Sequence, residues 1–363
     1  MRERVARNWE RLTGPQRIGG IDTARGLAVV GMLAAHMLGL PSLDPSDPQT
    51  WGAVATGRSS ILFATLAGVS VALVTGGMRP VEGRARQTAS ARLVVRAAVI
   101  FLIGLALIML GTPLMVILPA YAILFLLAIP LLRMPTRWLA PTAIALGLVT
   151  PFVWAAIYSL PFWDTSTGEM FMSVLGLHYP FVVWISFLVA GMAVGRLALR
   201  RARIDLLLIV IGGVLAAAGY IGGHVWRSFS GVAPGEGSVI DLALEVDPHS
   251  SGVGEVFGSG GFAILVIGAA LLVTRGVPGL ILSPLRAVGS MPLTAYSAQI
   301  IVVGIMLAGV VPDARLDVLR EANVLLPFVV WTIVGCTAWA LFVGRGPLEW
   351  LVDRIVRTVV PGR

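Results

Sequence analysis

Ten separate stretches of this 363-residue chain are apolar enough, over about 20 residues each, to cross a bilayer core about 30 Å thick. They fall near 21–40, 58–77, 93–111, 114–132, 138–160, 177–195, 205–223, 256–274, 288–311 and 324–344. The remaining residues cannot offset them: 57% of the chain is hydrophobic and 13% charged, with mean hydropathy +0.88. A soluble domain carries about 25% charged residues. A disordered chain, a disulfide scaffold and a conventional soluble enzyme are excluded. Nucleic acid is not an expected partner despite the net charge of +8, because that partner needs a basic face on a soluble module. The expected fold is all-α: one polytopic transmembrane domain, 1–363, of about ten transmembrane helices.

The charge supplies an orientation. The chain has no Lys, so all 27 basic residues are Arg, and 21 of them fall in alternate connections: the N-terminal segment 1–20, 78–92, 133–137, 196–204, 275–287 and the segment after 344. The other connections hold Arg58, Arg227, Arg315 and Arg320. Basic loops stay cytoplasmic, so both termini are expected inside a plasma membrane, which requires an even number of spans. Residues 1–40 lack a small-residue cleavage site and read as a first span rather than a signal peptide. Gly111, Thr112 and Pro113 make so short a connection that the third and fourth spans should form an antiparallel hairpin. The largest external loop is expected at 224–255. Residues 345–363 alternate apolar and basic residues at helical spacing and should lie as an amphipathic helix on the inner surface, against membrane lipids. The external segments are acidic, which argues against a strongly anionic acceptor. The single cysteine, Cys336, sits in an apolar run and reads as a small buried hydrophobe.

Ionisable groups inside spans are costly and mark candidate sites. The first span carries Asp22, Arg25 and His36. At 100° per residue they share one helix face, with His36 about 21 Å beyond Asp22. Asp22 and Arg25 form a structural ion pair at the inner edge, with Asp22 a possible N-cap. His36, in the outer half, can exchange protons near neutral pH. His178, His224 and His249 map to the same external side, with Asp247 placed to orient the His249 ring. No H-x-x-x-H spacing supports a metal, and none is expected. Arg58 opens the second span and can anchor a phosphate or carboxylate, or simply the interface. Arg96, four residues into the third span, either snorkels or joins Arg25 in a basic inner pocket. Thr294, Tyr296, Ser297 and Gln299 crowd the ninth span, and Tyr296 with Gln299 at i,i+3 could line a polar wall.

The pattern Asp22-x-x-Arg25-Gly26-x-Ala28 followed by His36 resembles the first span of acyltransferase-type-3 membrane acyltransferases. The closer likeness is to the bacterial YeiB-like family, related to heparan-alpha-glucosaminide N-acetyltransferase. It rests on GRSSILFATLAGVSVAL (57–73), HYPFVVWISFLVAGMAVGR (178–196), PHSSGVGEVFGSGGFAI (248–264), GSMPLTAYSAQ (289–299) and RGPLEW (345–350). The resemblance implies an acyltransferase using acetyl-CoA or another acyl-CoA, with His36 as catalytic base or acyl carrier. Arg25 and Arg96 would hold the donor. Arg58, His178, His249, Tyr296 and Gln299 would meet an external glycan or lipid-linked acceptor. A homodimer is compatible with the small-residue helix faces. A transporter or flippase using His36 as a protonation switch is the alternative, and a scaffold the third reading.

Overall fold

The computed structural model describes residues 1–40, 43, 46–310 and 316–361, the side chains of 278, 309 and 310 excepted, so Arg315 lies outside the described residues. Among them there is helix and no strand. A short Arg-rich helix α1 (Arg2–Thr13) precedes α2 (Gly19–Leu38), α3 (Arg58–Val74), α4 (Gly83–Ile108), α5 (Leu118–Leu131) and α6 (Thr136–Tyr158). Then come α7 (Ser166–Val174), α8 (Phe181–Gly195), α9 (Ala202–Ser230), α10 (Val239–Leu244) and α11 (Val253–Val273). Next are α12 (Pro278–Ile281), α13 (Ser283–Ser290), α14 (Pro292–Val310), α15 (Leu316–Glu321), α16 (Leu325–Phe342) and α17 (Pro347–Val359).

Each of the ten apolar windows coincides with helix, but not with ten equal spans. Seven helical stretches are long and apolar enough to cross a membrane, and an eighth is a pair, α13 and α14, bent by 83°. The bend falls at Met291, where Pro292 removes a backbone donor and ends the preceding helix. The continuous span expected at 288–311 is therefore two elements. The fourth and sixth windows are shorter helices, α5 and α8, of 14 and 15 residues. Helix α5 starts late because residues 111–117 run in irregular backbone, with Leu114, Val116 and Ile117 buried in protein. Helices α4 and α5 pack together as a hairpin through this longer connection.

The expected loop 224–255 is shorter than its sequence suggested. Helix α9 continues to Ser230, 29 residues or about 44 Å, and ends on Gly231 in the left-handed conformation. The amphipathic C-terminal segment is helix α17, packed against α4 and α14.

Small residues set the spacing of the bundle core. A Cβ added at Gly191 on α8 would lie 1.8 Å from the Thr65 carbonyl oxygen on α3, and one at Gly68 on α3 would lie 2.0 Å from the Leu188 oxygen. Backbones touch where the glycines leave room, the usual route to close packing in lipid. Two charged groups within the bundle are held by hydrogen bonds. Arg196 lies beneath the C-terminus of α3 and donates to the carbonyls of Ala72, Thr75 and Gly77 at 3.0, 3.1 and 2.8 Å. The buried Asp205 carboxylate accepts a forked pair of bonds from Arg275.

Gly191→Val should therefore lower stability by about 3 kcal/mol, the upper end of overpacking costs. Gly335→Ala, where a Cβ meets nothing within 4 Å, should be neutral within about 0.5 kcal/mol. Thermal unfolding in detergent, followed by size-exclusion recovery, separates the two.

Candidate functional site

Two cavities enter the bundle from opposite ends. The first opens at the end that carries both termini. It encloses about 520 Å³ and is lined by Arg17, Arg25, Arg96 and Arg345 at its mouth, with Phe63, Leu66, Ile100 and Leu118 deeper in. A wider cleft of about 1230 Å³ adjoins it, sharing Val74, Arg96 and Asp353 and adding Arg84, Arg92 and Arg357. Helix α2 positions Arg25, which donates to Asp22 at 2.9 Å and to Ser70 Oγ at 2.8 Å. Asp22 also pairs with Arg17 at 3.2 Å. Asp22 is not the N-cap of α2; Ile18 holds that place and Asp22 lies one turn inside. Its carboxylate serves two guanidiniums instead.

The second cavity, about 200 Å³, opens at the far end. His36, Tyr179, His249, Tyr296 and Arg320 line it together with Ser59, Ser60 and Met32. His36 arrives from the last turn of α2, and its carbonyl oxygen accepts from Arg320 Nε at 3.2 Å. His249 arrives from the loop before α11, its ring edge-on to Tyr179 with centroids 5.8 Å apart. That loop is strained: His249 and Ser251 have φ of 67° and 58°, values that cost side-chain-bearing residues about 1–3 kcal/mol each. Glu255, 3% exposed on α11, holds the strain by accepting from the N–H groups of His249 at 2.6 Å and Ser251 at 2.7 Å. Sequence reasoning did not single out Glu255; an acid inside the glycine-rich run GVGEVFGSGG was the available signal. Asp247, expected to orient His249, instead accepts from Arg227 at 2.5 Å.

The other expected residues divide. Tyr296 is buried at 2% exposure and lines both cavities. Its hydroxyl accepts from the Ile117 N–H at 3.1 Å. Gln299 faces α2, where its amide donates to the Val29 carbonyl at 3.5 Å, and it lines neither cavity. Arg58 turns away from the far-end cavity: Nε donates to the Tyr220 hydroxyl at 2.6 Å and the guanidinium lies 5.0 Å from that ring's centroid. The Tyr220 hydroxyl is 3.0 Å from Ser259 Oγ. His178 sits beside His249 outside the lining, and His224 is exposed on the extended end of α9. Among the described residues no three His, Cys, Asp or Glu side chains form a metal-holding group.

Residues 17–225, more than half of the chain, match the family described as Heparan-alpha-glucosaminide N-acetyltransferase, catalytic. The chain belongs to that family. Residues 239–358 match a second family, Protein of unknown function (DUF418), and the two together agree with the YeiB-like resemblance. No curated protein matches the chain. In this member of the N-acetyltransferase family each cavity draws on both matched segments. His36 and Tyr179 come from the first and His249, Tyr296 and Arg320 from the second; at the other end Arg25 and Arg96 meet Arg345 and Glu349.

Glu255→Ala should leave two backbone donors unpaired, at about 1–3 kcal/mol each, and expose residues 245–252 to limited proteolysis. Glu255→Gln, which keeps an acceptor, should be cut more slowly. Burial first, and His178 second, push the His249 pKa below its ordinary 6.5. The folded state therefore binds fewer protons than the unfolded chain below that pH. Its contribution is complete above about pH 6.5 and is lost as pH falls toward the depressed folded value. Between about pH 7 and 5 the thermal stability of the protein should therefore fall relative to that of His249→Gln.

Proposed function

We propose that the protein is a membrane-embedded acyltransferase, most simply an acetyltransferase, moving an acyl group from cytoplasmic acyl-CoA to an acceptor that enters from the external side. One observation carries this reading. A large Arg-rimmed cavity and a small His-lined cavity approach from opposite ends and meet at Tyr296. The family's description supports the reaction class, and cavities at opposite ends suit a donor and an acceptor that arrive from different sides. The distribution of Arg supports a cytoplasmic arginine-rich end, with both termini on the inner side of the plasma membrane.

The guanidiniums of Arg17, Arg25, Arg96 and Arg345, with Arg84, Arg92 and Arg357 in the adjoining cleft, suit the phosphates of a CoA donor. The apolar interior beyond them suits the pantetheine arm and acyl group. Eleven residues separate Arg25 from His36, about 16 Å along α2, so one helix carries a donor contact and the candidate catalytic imidazole. His36 removes the proton from the acceptor's hydroxyl or amine as that atom attacks the thioester carbonyl. The C–S bond breaks, and the departing thiolate takes up the proton. If His36 carries the acyl group instead, its ring nitrogen attacks the thioester and the C–S bond breaks to release the thiolate. The acceptor then attacks the acyl carbon, the C–N bond to imidazole breaks, and the acceptor's proton passes to the imidazole. Because the Tyr296 oxygen accepts from Ile117, its own proton is left to donate to the tetrahedral oxyanion. Arg58 and Gln299 then serve structure beside the site. A far-end cavity of about 200 Å³ lies below the usual 300–1,000 Å³ of ligand pockets. It suits one sugar ring or a small lipid-linked headgroup presented end-on.

Purified protein incubated with labelled acetyl-CoA should yield acyl-enzyme, hydrolysis or transfer, and His36→Ala should reduce turnover at least 100-fold. Equal turnover in both would overturn the assignment of His36. Arg25→Ala and Arg96→Ala should raise KM for the donor about tenfold with a small change in kcat, the signature of lost ground-state binding. The bent pair α13 and α14 favours a second reading, translocation, since discontinuous helices are common in transporters. That reading requires flux into liposomes without any donor.

A further inference from the structure

The two cavities are separate, and their linings adjoin. On α3, Ser60 lines the far-end cavity and Phe63 the termini-end cavity, three residues or about 4.5 Å apart. At the start of α5, Ile117 lines one side and the next residue, Leu118, the other. Tyr121 closes a gap between these elements: its hydroxyl donates to the Ser60 carbonyl at 3.3 Å and its ring lies 5.4 Å from that of Phe63. Tyr296 completes the wall and, among the described residues, is the side chain common to both linings.

We propose that Tyr296 is the gate in this partition, with its hydroxyl bond to the Ile117 N–H as the latch and the 83° break at Met291 as the hinge. Tyr296 lies one turn beyond that break, on a helix whose first N–H groups are not held by a preceding turn. They are held by Glu349 of α17, which accepts from Leu293 N–H at 2.7 Å and from Thr294 N–H at 3.1 Å. Glu349 itself lines the termini-end cavity. The gate-bearing helix is thus pinned by a carboxylate in the cavity where a donor would arrive, so a ligand there can act on Tyr296 through the hinge. When the latch opens, the wall is breached, and the Ile117 N–H is released to the opening as a second donor. Closed, the partition keeps water of one side from an acyl group held on the other. The purpose of the gate rests on the acyltransferase reading, but its existence does not.

The test reads the path alone. In a Cys336→Ala background, whose thiol lies outside both cavity linings, Thr56→Cys reports the far-end cavity and Ala67→Cys the termini-end cavity. Each full-length variant is sealed in vesicles and treated from either face with a membrane-impermeant, charged methanethiosulfonate. With Tyr296 present, each thiol should react from one face only, and the two from opposite faces. Adding Tyr296→Ala should make the Ala67→Cys thiol react from the far face at least tenfold faster. Tyr296→Phe, which keeps the ring and removes the latch, should give a severalfold rise. Where Tyr296→Ala does not assemble, the Phe variant decides. One-sided labelling that neither variant alters overturns the gate, as does two-sided labelling with Tyr296 intact. Gated labelling in a protein that transfers no acyl group upholds the gate and overturns the enzyme reading alone.

Discussion

Backbone that leaves the helix inside a bilayer must find its hydrogen-bond partners in protein, because lipid offers none. This chain leaves the helix twice where it builds its site. Before α5 the irregular stretch is buried at Leu114, Val116 and Ile117, and the Ile117 N–H is satisfied by the hydroxyl of Tyr296. Before α14 the helix breaks at Met291, and the Leu293 and Thr294 N–H groups are satisfied by Glu349. Helical spans alone would give a closed bundle. The two interruptions, each supported by a side chain from a distant element, open space from both ends.

The same rule governs the charges. Asp22 is nearly inaccessible yet serves Arg17 and Arg25, and Arg25 is thereby held at the mouth of the arginine-lined cavity. Glu255 is buried among backbone donors and fixes a strained loop that delivers His249. In both cases the buried carboxylate positions a basic side chain on a cavity wall. A buried ion pair is weak evidence for net stability, and its use in this chain is geometric.

Much of this was legible before any tertiary contact was known. Apolar runs are local, so the windows at 21–40 and 256–274 translate directly into α2 and α11. The periodicity of α2 put Arg25 and His36 on one face, where each now lines a cavity. The break at Met291 had a local signal, the following Pro292, but hydropathy averaged over 288–311 conceals a kink. The reach of α9 past the apolar stretch was hidden for the opposite reason: a helix can continue into water without any hydrophobic signature. The sequence left the directions of Arg58, Gln299 and Asp247 open, because a polar side chain's direction depends on its neighbours. Tyr220, Val29 and Arg227 supply those neighbours, and each lies far away in sequence or on another element.

What the sequence determined by itself is a helical membrane protein with basic and acidic connecting segments, a member of the N-acetyltransferase family carrying one conspicuous histidine in its first apolar run. These follow from composition, period and motif, which are properties of short stretches. Only the tertiary structure decided that there are two cavities, that His36 faces the smaller one beside His249, and that Tyr296 stands between them. A cavity is the space several elements leave unfilled, and both matched segments contribute to each wall. No local stretch encodes it, because it exists only once residues far apart in the chain have been packed to within a side chain's length of one another.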